Sequence, residues 1–167
     1  TVIKDWNSLG LRGSGSNTVI ADKLFIPEDM TFRFSTMIMN RKPHKLEIDE
    51  EYLYYNVPFF AAFYVGFPAM AIGAAERVLD EYKDRTSKRI RLYGTKESES
   101  PTAQRILAEL TVKHKTSVGL MKEYINMLDT DNGQYNPGEY NAIRVTIIQN
   151  CIDIAVKATL ALGASAI

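Results

Sequence analysis

The chain has 167 residues, 46% hydrophobic and 24% charged, enough for one core or for one domain carrying part of another. Lysine plus arginine and aspartate plus glutamate balance at 20 each, so the net field that would draw nucleic acid or an anionic lipid surface is missing. A single cysteine excludes an intrachain disulfide and points to a reduced, cytoplasmic setting.

Residues 1–35 read as β structure. Thr1 to Trp6 is short and β-branched, and Gly10, Gly13 and Gly15 then punctuate a turn. Ile20, Leu24 and Ile26 fall on one strand face before Pro27 ends the run. Two strands do not make a stable sheet, so partner strands are expected elsewhere in a larger protein. Residues 36–56 form a connector of unassigned conformation, with Met37 and Met39 read as packing residues.

Three helices are predicted after it. The first spans about 57–91, with Asn56 as its N-cap, Pro58 in its first turn and a kink or break at Pro68. The second starts at Ser100-Pro101 and runs to about Leu128, with Ile106, Leu107, Leu110, Leu120 and Ile125 at helical spacing and one wet face. The third opens on Asn136-Pro137-Gly138-Glu139, a cap, a first-turn proline and a carboxylate placed to reach back to the cap amide. Its stripe Ile143, Ile147, Cys151, Ile154, Ala158, Ala161 and a second stripe Val145, Ile148, Ile152, Ala155, Leu162 leave it apolar nearly all round. Asp153 and Lys157 stand at i,i+4 in the favourable order. Two apolar faces predict burial on both sides, the second against another subunit.

Val57 to Ala75 carries no charge, near the length that spans a bilayer. Pro58, Pro68, Tyr64, several alanines and direct continuation into Glu76-Arg77-Val78-Leu79-Asp80 favour a buried central helix over a membrane span. The chain begins at Thr1 with no signal or transit pattern and ends on the apolar run Ala161 to Ile167, and both ends read as cuts.

Three segments in order carry a family resemblance. Trp6-Asn7-Ser8-Leu9-Gly10-Leu11-Arg12-Gly13-Ser14-Gly15-Ser16, followed by Phe25-Ile26-Pro27-Glu28, resembles the exit from the middle β domain of the acyl-CoA dehydrogenase superfamily. Ala71 to Tyr82 resembles the first helix of that superfamily's C-terminal bundle, and Leu160 to Ile167 the small-residue end of a later one. The glycine-rich form is most similar to the branch of reduced-flavin monooxygenases that hydroxylate phenols. The absence of glutamate from 57–75, where some dehydrogenases carry an α-proton base, points the same way.

The resemblance implies a mainly α fold: a remnant of the β domain over 1–35, the connector 36–56, and a truncated C-terminal helical bundle over 57–167. It implies a flavin cofactor, FAD or FMN, and a small-molecule substrate held in a dry pocket. It further implies a homodimer or homotetramer with a flavin reductase as partner. Acyl-CoA dehydrogenase activity and a non-catalytic helical assembly module are the alternatives.

Arg12, Ser14 and Ser16 lie in the glycine-rich turn, where glycine permits close approach to a ligand; the plain reading is a tight turn with a surface arginine. Lys83, Arg85, Lys88, Arg89 and Arg91 crowd the end of the first helix, where cations suit the helix dipole without any ligand. The resemblance adds a phosphate contact at Arg91-Leu92-Tyr93-Gly94. The family arginine three residues before the aromatic falls on Ile90, so Arg89 and Arg91 are both carried as candidates with Tyr93. No catalytic residue is assigned. His44 and His114 lack partners at ligand spacing, so no metal site is expected. Cys151 reads as buried and inert. No phosphate-binding Walker loop, metalloprotease motif or nucleophile elbow is present.

Overall fold

The computed structural model describes residues 1–31, 33–35, 57–130 and 135–163. The Asn56 cap, His44, Met37, Met39 and the connector therefore fall outside the described residues.

Two short strands, β1 (Val2–Ile3) and β2 (Thr18–Val19), pair antiparallel with Val2 opposite Val19 and Ile3 opposite Thr18. Pairing goes no further. Ile20, Leu24 and Ile26 are exposed and carry no strand, so the longer second strand expected from their alternation does not form. Among the described residues the ladder has no third strand and no covered face, so nothing there extends it.

The predicted first helix is two helices, α1 (Phe59–Tyr64) and α2 (Gly66–Lys88), with the break at Val65. Pro68 has no N–H to return to the Tyr64 carbonyl, and the disruption surfaces one turn upstream of the proline. Helix α2 stops at Lys88, where Arg89 turns to extended backbone. Helix α3 (Pro101–Asp129) and helix α4 (Pro137–Leu162) begin where their caps predict. Ser100 Oγ accepts from Ala103 N at 3.1 Å, and Asn136 Oδ1 accepts from Gly138 N at 3.1 Å. The Asn136 amide side chain makes this cap; the Glu139 carboxylate does not reach back as expected.

The three long helices pack on one another around Leu79, Tyr82, Leu110, Ile147, Cys151 and Ile154. Buried positions recur at three-, four- and seven-residue steps: Pro68, Ala75, Leu79, Tyr82 and Thr86 on α2; Ala103, Leu110, Ser117, Tyr124 and Leu128 on α3; Tyr140, Ile147, Cys151, Ile154, Ala158 and Leu162 on α4. That spacing keeps one stripe of each helix on the common axis. A second, smaller core of Val57, Ala61, Tyr124, Leu128 and Tyr140 sits where α1 meets α3 and α4.

Helix α4 is two-faced, as its composition predicts. One stripe is buried, with Leu162 on it rather than Ala161, while Val145, Ile152, Val156 and Leu160 are exposed. Asp153 and Lys157 do not pair with each other. Lys113 of α3 donates to Asp153 at 2.6 Å, and Lys157 pairs with Glu109 of α3, because both flank the buried stripe and face the neighbouring helix. Within the described residues the chargeless stretch is covered on one side: Val57, Ala61, Pro68 and Ala75 are buried, whereas Phe63, Phe67 and Met70 are exposed at 61%, 47% and 65%. Helices α3 and α4 cover one side of it and nothing described covers the other. By length and composition alone, 59–88 and Pro137–Leu162 would each suffice to cross a membrane, and most of each apolar window is open.

Candidate functional site

The glycine-rich segment folds into a tight turn. Leu11 and Gly15 both take left-handed backbone, with φ of 56° and 59°, flanking a single turn at Arg12–Ser14. Glycine adopts that φ at little cost, which explains its presence at 15. The Trp6 indole donates to Leu11 O at 2.9 Å and Ser14 Oγ donates to the same carbonyl at 2.9 Å. Ser14 and Ser16 hydroxyls lie 3.3 Å apart. Asp5 ties the two ends: its carboxylate accepts from Thr18 N at 2.9 Å and Thr18 Oγ1 at 2.6 Å, and these bonds hold its carboxyl below the ordinary value.

The second predicted group lies on a small hairpin after α2. Ile90 bridges Lys96, Arg91 N donates to Thr95 O at 2.8 Å, and the turn closes on Gly94 at φ 79°. Leu92 and Tyr93 form its tip, each 91% exposed. No hydrogen bond or ion pair among the described residues joins this hairpin to the Arg12 turn. The two candidate groups stand as separate exposed edges.

Their chemistry can be tested against the phosphate of a flavin nucleotide. Each candidate arginine is anchored through one nitrogen: Arg12 Nε on Ser8 O at 2.9 Å, Arg89 Nη1 on Leu162 O at 3.4 Å, and Arg91 Nε on Glu97 Oε2 at 3.5 Å. A guanidinium carries several donors in a rigid fork, so each of the three has donors beyond this anchor. The donor set fits a phosphate, with Glu97 moderating the field at Arg91.

A third place goes unmarked by sequence motifs. Phe60, Tyr64, Tyr124, Tyr135, Tyr140 and Arg144 line a cleft of about 380 Å³ between α1, α3 and α4. Arg144 lies over the Tyr64 ring, Cζ 4.4 Å from its centre, and donates to Asn141 Oδ1 at 2.9 Å. Tyr124 packs edge-on to Tyr140 at 5.0 Å. Burial raises the Tyr124 phenol, and the positive charge of Arg144 opposes that rise. The signal for two of these residues lies in the spacing: Tyr124 continues the seven-residue step of Ala103, Leu110 and Ser117, and Tyr140 precedes Ile147 and Ile154 by the same step.

Cys151 is buried, and burial raises its thiol above the ordinary value, with the nearby Ser117 hydroxyl opposing the rise. His114 Nε2 is buried with no partner among the described residues, and no cluster of metal-binding side chains occurs there either.

The family model described as acyl-CoA dehydrogenase, C-terminal domain, matches residues 65–167. The chain is 31% identical over 106 residues to the flavin-dependent monooxygenase, oxygenase subunit HsaA, of Rhodococcus jostii (strain RHA1), a match covering 62% of this chain and 27% of that protein. It is 26% identical over 94 residues to the oxygenase component of p-hydroxyphenylacetate 3-hydroxylase of Acinetobacter baumannii, covering 55% and 22% respectively. The chain thus spans about a quarter of the length of these curated relatives. No solved structure matches it significantly. The three-helix bundle with its two-faced last helix, together with a family match over most of the chain, places this protein in the acyl-CoA dehydrogenase C-terminal-domain family.

Proposed function

We propose that the chain is the carboxy-terminal part of the oxygenase component of a flavin-dependent monooxygenase, cytoplasmic, forming an oligomer core and one wall of a flavin cleft. The carrying observation is the similarity to two oxygenase components of flavin-dependent hydroxylating systems. Under this reading 1–35 closes a β domain, 36–56 connects it, and 57–167 is the bundle.

When bound, reduced flavin, FMN or FAD, supplies the electrons that activate oxygen toward a small-molecule substrate. The chain's own contribution is binding and exclusion of water. Arg12 offers donors from a turn fixed by Trp6 and Asp5, with the Ser14 and Ser16 hydroxyl oxygens beside it. Arg89 and Arg91, with Tyr93 at the hairpin tip, offer a second set that suits a phosphate on a neighbouring subunit's cofactor. The exposed faces of α1, α2 and α4 are apolar walls that other parts of the assembly cover, as a dimer or tetramer.

Acyl-CoA oxidation is the second reading, favoured by the family's description. It needs an α-proton base, and 57–75 contains no carboxylate to serve as one. A non-catalytic assembly role requires the two arginine sets to be idle. An assay of the whole protein separates the three. NADH consumption through a flavin reductase with hydroxylation of a phenol supports the monooxygenase; reduction of an electron acceptor by an acyl-CoA supports the dehydrogenase; neither, with no flavin retained, leaves assembly alone.

A further inference from the structure

Arg144 is set in an unusual place for a cation. It lies on α4 beside the aromatic cleft, half-buried, its Cζ over the Tyr64 ring, with Asn141 as its polar partner. No carboxylate pairs with it among the described residues, although Arg77, Arg85, Arg91 and Arg105 each find a glutamate. Taking a guanidinium partly out of water without a counter-charge has a cost, which stacking on Tyr64 offsets in part. Its field is felt across the cleft at Tyr124, where it opposes the effect of burial.

The remaining walls define what shape could supply the missing charge. Phe60, Tyr64, Tyr124, Tyr135 and Tyr140 present ring faces and edges, with Ala61 and Pro137 between them. Rings favour offset or edge-on contact with another ring, and a volume of about 380 Å³ suits a compact molecule. We infer that this cleft binds a small planar aromatic anion, its ring among the tyrosines and its carboxylate on the free edge of Arg144. The site uses α1, α3 and α4 and none of the residues proposed for flavin, so it stands apart from that reading.

Fluorine NMR of para-fluorobenzoate with the purified protein, without flavin, tests it, with para-fluorobenzyl alcohol as the neutral counterpart. Saturable broadening of the acid is expected, with the alcohol bound at least roughly tenfold more weakly, the scale of a charge-assisted bond. Arg144→Gln should weaken the acid by about tenfold and leave the alcohol unchanged. Absence of saturable binding, or acid and alcohol of equal affinity, overturns the inference. So does a folded Arg144→Gln protein, by circular dichroism, that binds the acid as well as the parent. Should that variant not fold, the acid-to-alcohol ratio on the parent protein decides.

Discussion

The phenol of Tyr124 on α3 donates to the backbone carbonyl of Ala61 on α1 at 2.7 Å, across a helix break. In an uninterrupted helix that carbonyl would accept the Val65 amide. Val65 N turns instead to Ala62 O at 3.4 Å, so Ala61 O is freed and the tyrosine satisfies it in a buried setting. The interruption near Pro68 and a tyrosine some sixty residues later are therefore one structural device. Tyr124→Phe should destabilise the fold by about 1–3 kcal/mol, the cost of a buried carbonyl left without a donor. Urea denaturation measures this, and an unchanged midpoint would show the bond to be dispensable.

The bundle core makes a sharper demand. Ile154 is fully buried between α2, α3 and α4. Ile154→Ala should cost roughly 2–5 kcal/mol through lost contacts and the cavity left behind. Ile152, one face away and half exposed, should tolerate the same change with a loss nearer the surface-substitution range of about 0.5 kcal/mol. Paired denaturation curves check the contrast.

Asp153 gives a pH signature. The bond from Lys113, then that from Gln149, holds its carboxyl below the ordinary value of 3.8. A carboxyl depressed by folding adds stability that is present above its unfolded value and lost as pH falls through the folded one. The stability gap between the parent protein and Asp153→Asn should therefore be widest above pH 3.8 and shrink below it. A gap that stays constant from neutral pH down through that range contradicts the cross-helix assignment.

The open stripe of α4 predicts association. Val156→Glu with Leu160→Glu leaves the buried stripe untouched and puts two like charges on an apolar face. Light scattering should show the parent as an oligomer and the double variant as a monomer with unchanged helical signal.

Much of this architecture is legible in the residues. Ser100-Pro101 and Asn136-Pro137 announce their helices because a cap side chain followed by proline is a local signal, readable without tertiary context. The two-faced character of α4 is equally plain from its composition. What is not legible depends on which helices meet. Asp153 and Lys157 stand at the spacing of a local pair, yet α3 offers each a partner across the seam. Pro68 signals a disruption but not its position at Val65, which the backbone bond pattern sets. The cleft around Arg144 gathers residues from three helices and the loop before α4, up to about eighty positions apart in sequence, and no spacing rule collects them. The exposure of Phe63 and Phe67 among the described residues is likewise a property of neighbours, not of the helix that carries them.

The central claim is that these helices and the glycine-rich turn form a wall of a flavin site. Anaerobic titration of the whole protein with reduced flavin tests it most directly. The account predicts saturable binding near one flavin per chain, weakened at least about tenfold by Arg12→Ala or Arg91→Ala, as loss of a charge-assisted contact requires. A protein that binds neither reduced nor oxidised flavin contradicts it.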